Sequence, residues 1–171
     1  MEFISEITNS ASNILLEGIT IEQKADKLIE LAENSVDING IGMYSLGKHK
    51  KSINDAQLVK YKNSFRKYFL KSFSSRLSQY SDPKINVLSQ KVINEKYTIV
   101  SSVLVATSER PEVKIEWRVY TKDSNKPLIR DLIIEGLSLA RTQKEEFNSV
   151  IQGANGDVSA LIANLEEFNS K

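Results

Sequence analysis

The nine residues Glu112–Tyr120, "EVKIEWRVY", alternate: Val113, Ile115, Trp117 and Val119 are apolar, while Glu112, Lys114, Glu116 and Arg118 are charged. Successive side chains of a β-strand point to opposite faces, so this segment has one dry face and one wet face. A strand of that kind belongs in an antiparallel sheet covered on one side. The turn-forming stretches "SERP" (108–111) and "KDSNKP" (122–127) bound it. Upstream, "KINVLSQKVI" (84–93) and "YTIVSSVLVAT" (97–107) are rich in β-branched residues and read as two further strands. Downstream, "DLIIEGLSLARTQKEEF" (131–147) starts as a strand, passes through Glu135 and Gly136, and continues as an amphipathic helix. Gly136 is expected to permit a direct strand-to-helix turn, Ser138 to cap the helix, and Glu135 to hold the junction by hydrogen bonds.

The flanks are helical. Phe3, Ile4, Ile7, Ala11, Ile14 and Leu15 recur at helical spacing up to Gly18, and a second run follows Thr20, a residue suited to an N-cap. A short helix over Ile38–Leu46 should end at Gly47. A long one, about Asn54 to Gln79, carries the stripe Leu58, Tyr61, Phe65, Tyr68, Phe69, Phe73, Leu77 and Tyr80. That stripe is either core packing or a ligand-facing wall. Beyond the strands, helices are expected over Ser138–Gln152 and, capped by Asp157, to Phe168. The fold class is therefore α+β: one domain over 1–171, helical in 1–80, a four-stranded antiparallel meander in 84–135, and helices in 138–169. About six helices are available to cover one dry face, and they can close it or leave an apolar pocket.

Several functions are disfavoured. Lys and Arg total 23 against 22 Asp and Glu, a balance unlike the concentrated basic face that nucleic acid requires. Lysines do gather in "GKHKK" (47–51) and "KYKNSFRK" (60–67), so Lys48, Lys50, Lys51, Lys60 and Lys62 form a docking face or an ordinary solvated one. The chain has no cysteine, which excludes thiol chemistry and disulfides. No run approaches the ~20 apolar residues of a membrane span. The start, "MEFISEITNS", lacks the pattern of a signal peptide, so the protein is cytosolic or its signal has been removed. The single histidine, His49, reads as a surface-loop residue, and no donor cluster has metal-ligand spacing. Asp131 and Glu135 lie four apart on one strand face, about 13 Å, too far for a cooperating carboxylate pair. No enzyme, metal or cofactor is expected.

The motifs also carry a resemblance. Asp131, Ile134, Glu135, Gly136, Ser138, Leu139 and Phe147 resemble the signature of the MlaC family of phospholipid-binding ABC transporter auxiliary (toluene-tolerance) proteins, with Leu137 where Val is usual. "DINGIGMYSLG" (37–47), "FRKYFLKSFSSRLSQY" (65–80) and "GDVSALIANL" (156–165) resemble its other segments in the same order. Departures are His49 and Lys50 for aromatics, Gln143-Lys144 for a Tyr-Arg pair, and Lys126-Pro127 for Gly-Trp. The resemblance implies a sheet of the nuclear-transport-factor (NTF2) or cystatin-like kind. It also implies a monomeric periplasmic shuttle with a cleaved signal peptide. Its cargo would be phospholipid, taken between an outer-membrane lipoprotein complex and an inner-membrane ABC transporter with an MCE-domain component, in maintenance of outer-membrane lipid asymmetry.

On that reading, acyl chains would meet Val103, Val105, Val113, Ile115, Trp117, Val119, Leu132 and Ile134 from the strands. From the helices they would meet Met43, Leu46, Tyr61, Phe65, Phe69, Phe73, Leu139 and Phe147. Gly40, Gly42 and Gly47 mark the third helix as a lid. Two other readings compete. An isomerase-like enzyme needs a carboxylate on the dry face, where the alternation puts few. A closed interaction domain would contain no cavity.

Overall fold

The computed structural model describes residues 1–81 and 83–171. They fall into two compact units, 1–37 with 73–139 and 38–72 with 140–171. The first holds helices α1 (Glu2–Leu16) and α2 (Ile21–Ser35) and strands β1 (Ile85–Val92), β2 (Tyr97–Leu104), β3 (Val113–Tyr120), β4 (Leu128–Ile134) and β5 (Leu137–Ser138). The second holds α3 (Ile38–Leu46), a 3-10 helix (Gly47–Lys51), most of α4 (Asp55–Leu77), α5 (Leu139–Gly153) and α6 (Val158–Ser170).

The strands form one antiparallel sheet in chain order, as the meander requires, but five-stranded rather than four-stranded. The extra strand corrects the expected direct joint into a helix. Glu135 and Gly136 have φ of 49° and 83°, and Ile134 pairs with Leu137 across them. Positive φ at both central residues is the mark of a type I′ hairpin, whose twist matches that of the strands it joins. The chain therefore folds back through two residues of β5 before α5 begins. Glu135 does hold the junction, through β3 rather than the helix: its carboxylate accepts from Lys114 N–H at 2.7 Å, and its own N–H donates to the Lys114 carbonyl at 3.0 Å.

The alternation of β3 decides the faces. Ile115, Trp117 and Val119 are buried with Val100 and Leu104 of β2 and Ile129 of β4. Ile4 of α1 is fully buried against this cluster, with Phe3 and Ile7 beside it, so α1 covers part of the sheet's inner face. The one polar group of Trp117 is satisfied: its indole N–H donates to Ser102 Oγ at 2.8 Å, and that hydroxyl donates to the Ile115 carbonyl at 3.0 Å. The helix caps follow the sequence. Thr20 and Gln23 close a capping box on α2, and Asp157 accepts from Ser159 N–H at the start of α6.

Aromatic rings centre the second unit. Tyr61 and Phe65 of α4 are buried, and Phe147 of α5 meets both edge-on, with centroids 6.4 and 6.1 Å away. α3 lies close to α4 at Gly42. A Cβ there would sit 2.7 Å from a Phe65 ring carbon, and the Gly42 carbonyl accepts from the Tyr61 hydroxyl at 2.6 Å. Burial pushes the Tyr61 phenol well above its ordinary pKa, so it stays a neutral donor. Gly42 thus serves close approach.

Two substitutions separate steric from conformational cost. Gly42→Ala forces Phe65 to move and should destabilise by about 1–3 kcal/mol in urea unfolding. Gly136→Ala meets no neighbour and bears only the positive φ, so about 1 kcal/mol is expected, from the strain of a left-handed alanine. A smaller loss at Gly42 than at Gly136 would contradict the tight α3–α4 contact.

Candidate functional site

The apolar inner face of the sheet is unevenly covered. Val100, Trp117, Val119 and Ile129 are buried around Ile4, whereas Val87, Val113, Leu132 and Ile134 of the same face are only half-buried. Registry places them together: Val113 pairs with Leu104, Ile134 with Ile115, and Leu132 with Trp117. The result is an apolar surface whose interior polar groups are already bonded, the Trp117 indole to Ser102 and the Thr98 hydroxyl to that of Thr121. Such a surface offers dispersion and desolvation to a hydrocarbon and presents no group that demands a polar ligand.

Most strand residues expected to meet acyl chains lie on this face, with two exceptions. Val103 pairs with Lys114, so it faces the opposite side, away from Val100 and Leu104. One register step along a strand reverses the face, and an unbroken apolar run such as "VLVA" does not show which residues point inward. Val105 lies beyond the end of β2, with its N–H donating to the Lys84 carbonyl. In the helical unit, Leu46, Tyr61, Phe65 and Phe147 are buried, the three rings packed on one another, while Met43 and Phe69 are half-buried. Phe73 and Leu139 belong to the sheet unit, Phe73 half-buried and Leu139 exposed.

His49 corrects the surface-loop expectation. It is buried in the 3-10 helix, and its Nε2 lies 2.9 Å from Asn148 Oδ1 of α5. The five lysines do not share one face. Lys48, Lys50 and Lys51 are exposed on the 3-10 helix, but Lys60 and Lys62 are two residues apart on α4 and project roughly 160° apart around its axis. Among the described residues, no group of three or more His, Cys, Asp or Glu side chains could hold a metal ion. No helix among them is long and apolar enough to cross a membrane.

The outer face holds a feature that the sequence did not reveal. The Arg130 guanidinium lies over the Tyr120 ring, 4.4 Å from its centroid, donates to Asp37 Oδ2 at 2.6 Å, and donates to the Tyr97 hydroxyl at 2.7 Å. Burial works against its charge, but the hydrogen bond and charge of Asp37, with those of Tyr97, outweigh it and raise its pKa. Asp37 N–H also donates to the Ile129 carbonyl at 2.9 Å, and Val36 bridges Ile129 in parallel, so the end of α2 is tied to β4. Ninety-three residues separate Asp37 from Arg130, and no local spacing announces the pair.

An antiparallel meander with one unevenly covered apolar face, packed under a helix and bracketed by helices, defines an α+β protein built around an apolar sheet surface. The family model described as "MlaC protein" matches residues 6–167, and the chain belongs to that family. No curated protein matches it. A phospholipid-binding protein from Ralstonia solanacearum, solved in complex with a phospholipid, shares the fold: TM-score 0.81, 18% identity, covering 99% of this chain and 96% of the other.

Arg130→Lys should separate charge from shape at the outer cluster. Lysine keeps the charge but loses the planar stack and fork, so a loss of about 1 kcal/mol in urea unfolding is expected. Wild-type stability in that variant would show that the cluster acts as a point charge only.

Proposed function

We propose that this protein is a soluble periplasmic carrier that binds phospholipid by its acyl chains. It takes the lipid between an outer-membrane lipoprotein complex and an inner-membrane ABC transporter with an MCE-domain component, and so maintains outer-membrane lipid asymmetry. The observation that carries the reading is the half-buried inner-face group Val87, Val113, Leu132 and Ile134, an apolar surface with its polar atoms internally satisfied. Family membership and the phospholipid held by the Ralstonia relative support it. The protein is read as a binding and transport component, not an enzyme, and as a monomer.

Energetics give the reading a consequence. Each buried methylene contributes about 0.8 kcal/mol, so two ~16-carbon tails give a gross figure of roughly 20–25 kcal/mol before ordering costs. Spontaneous release into water would be too slow for transport. Cargo exit therefore needs a partner that supplies an apolar path, which fits an auxiliary component working between membrane complexes.

The test uses the alternation of β4. Protein purified from its host should yield diacyl phospholipid on solvent extraction and mass spectrometry. Leu132→Asp places a charge on the inner face and should remove at least nine-tenths of the lipid, because an unpaired carboxylate beside hydrocarbon costs several kcal/mol. Ile133→Asp is the matched control, since Ile133 pairs with Glu116 on the outer face. Lipid-free wild-type protein, or equal loads in the two folded variants, would refute the proposed site.

A further inference from the structure

A groove of about 420 Å³ lies between α4 and α6, within the range of small-ligand sites. Lys60, Ser64 and Lys67 line it from one face of α4, at i, i+4 and i+7, and Glu166, Asn169 and Ser170 line it from α6. Its walls are fixed at both ends. Gln57 Nε2 donates to Ser159 Oγ at 3.0 Å, and Lys71 Nζ donates to the Phe168 and Asn169 carbonyls at 3.1 and 3.4 Å.

Three charges here are unused. Among the described residues Lys60, Lys67 and Glu166 make no ion pair, although they line the same groove. Asn169 braces the wall from α6. Its Nδ2 donates to the Ser64 carbonyl at 3.0 Å, and because a carbonyl can only accept, this bond fixes which end of the amide is the oxygen. That oxygen, Oδ1, is buried out of a ligand's reach, so Asn169 forms part of the wall and not a contact. The groove therefore asks for an anion near the two ammonium groups, and for a cationic N–H donor near the carboxylate.

We propose that this groove binds the phosphoethanolamine headgroup of a membrane lipid. The phosphate would lie between Lys60 and Lys67, as charge-assisted partners. The primary ammonium would donate to the Glu166 carboxylate. Phosphocholine carries the same charges but has no N–H to donate, and phosphoglycerol has no cation, so the groove reads ethanolamine. The site is separate from the acyl-chain surface, on the other unit, and extends the carrier reading by giving the helical unit a lipid surface to rest on.

The test titrates the full chain, followed by amide resonances, with glycerophosphoethanolamine, glycerophosphocholine and inorganic phosphate. Glycerophosphoethanolamine should bind at least about tenfold more tightly than either of the others, the value of one hydrogen bond to a charged group. Shifts should centre on Lys60, Ser64, Lys67 and Asn169. Glu166→Gln, an exposed change that leaves the fold intact, should abolish the preference, and Lys67→Gln should weaken all three ligands. In a second arm, vesicles containing phosphatidylethanolamine should sediment the protein and pure phosphatidylcholine vesicles should not. Equal binding of phosphate or of the choline compound, or shifts away from the groove, would overturn the proposal. Binding of the soluble compound without vesicle binding would overturn its membrane origin. The soluble compound carries no acyl chain, so failure of the carrier reading and failure of this one remain distinguishable.

Discussion

One extra residue in β4 holds much of this structure in place. Ile129 pairs with Val119 and Leu132 with Trp117, both on the inner face, yet three residues separate Ile129 from Leu132. In a regular strand an odd separation puts two side chains on opposite faces. The bulge opposite Arg118 and Val119 absorbs the mismatch, and without it either Ile129 or the Leu132–Ile134 pair would turn to solvent. Arg130 and Asp131 are the residues displaced outward, and both are used. Arg130 reaches Asp37 and so ties the end of α2 to the sheet, and Asp131 accepts from the Ser138 hydroxyl at 2.5 Å and so holds β5 against β4. A break in alternation thus preserves the apolar face and supplies two polar anchors on the other side.

The same break marks the limit of what the sequence disclosed. The regular features were legible because each has a local physical code. Period-two alternation gave β3, helical spacing gave six α-helices close to their observed ends, and Thr20, Asp157 and Gly47 punctuated them as expected. β4 was legible only from Asp131 onward, since "LIRDLII" alternates in neither frame once the bulge is included. The Glu135-Gly136 hairpin was missed for a related reason. A two-residue strand has no period to detect, and the pair of positive φ angles that defines the turn is visible only in the backbone.

Of the site, one-dimensional pattern supplied the apolar face on β3 and the Leu132–Ile134 step on β4. It misassigned Val103 because β2 is apolar on both sides, with Ile99 and Val103 half-buried on the outer face. Side chains joined over long sequence distances were out of reach: Asp37 with Arg130, His49 with Asn148, and the α4–α6 groove. These are polar contacts between elements whose apolar periodicity says nothing about their solvent-side neighbours.

Three of the departures from the family pattern meet partners in the helical unit. His49 is buried against Asn148, Gln143 Oε1 accepts from the Tyr68 hydroxyl at 3.1 Å, and Lys144 lies 5.0 Å from the Tyr44 ring centroid. These three lie in the helical unit, where α5 meets α3, α4 and the 3-10 helix, and each has a partner there, whereas Lys50 is exposed and Lys126-Pro127 lies in the sheet unit. Gly47 takes part in the same fit: at φ 54° it ends α3, and a Cβ would meet the Lys144 side chain at 2.8 Å. His49, Gln143 and Lys144 therefore belong to one contact region, while the buried rings of Tyr61, Phe65 and Phe147 hold the helices in place. The chain and the Ralstonia protein share their fold at 18% identity. In this chain the apolar face of the sheet, the bulge that keeps it continuous and the aromatic centre of the helices carry the packing, and the polar contacts of His49, Gln143 and Lys144 lie around that centre.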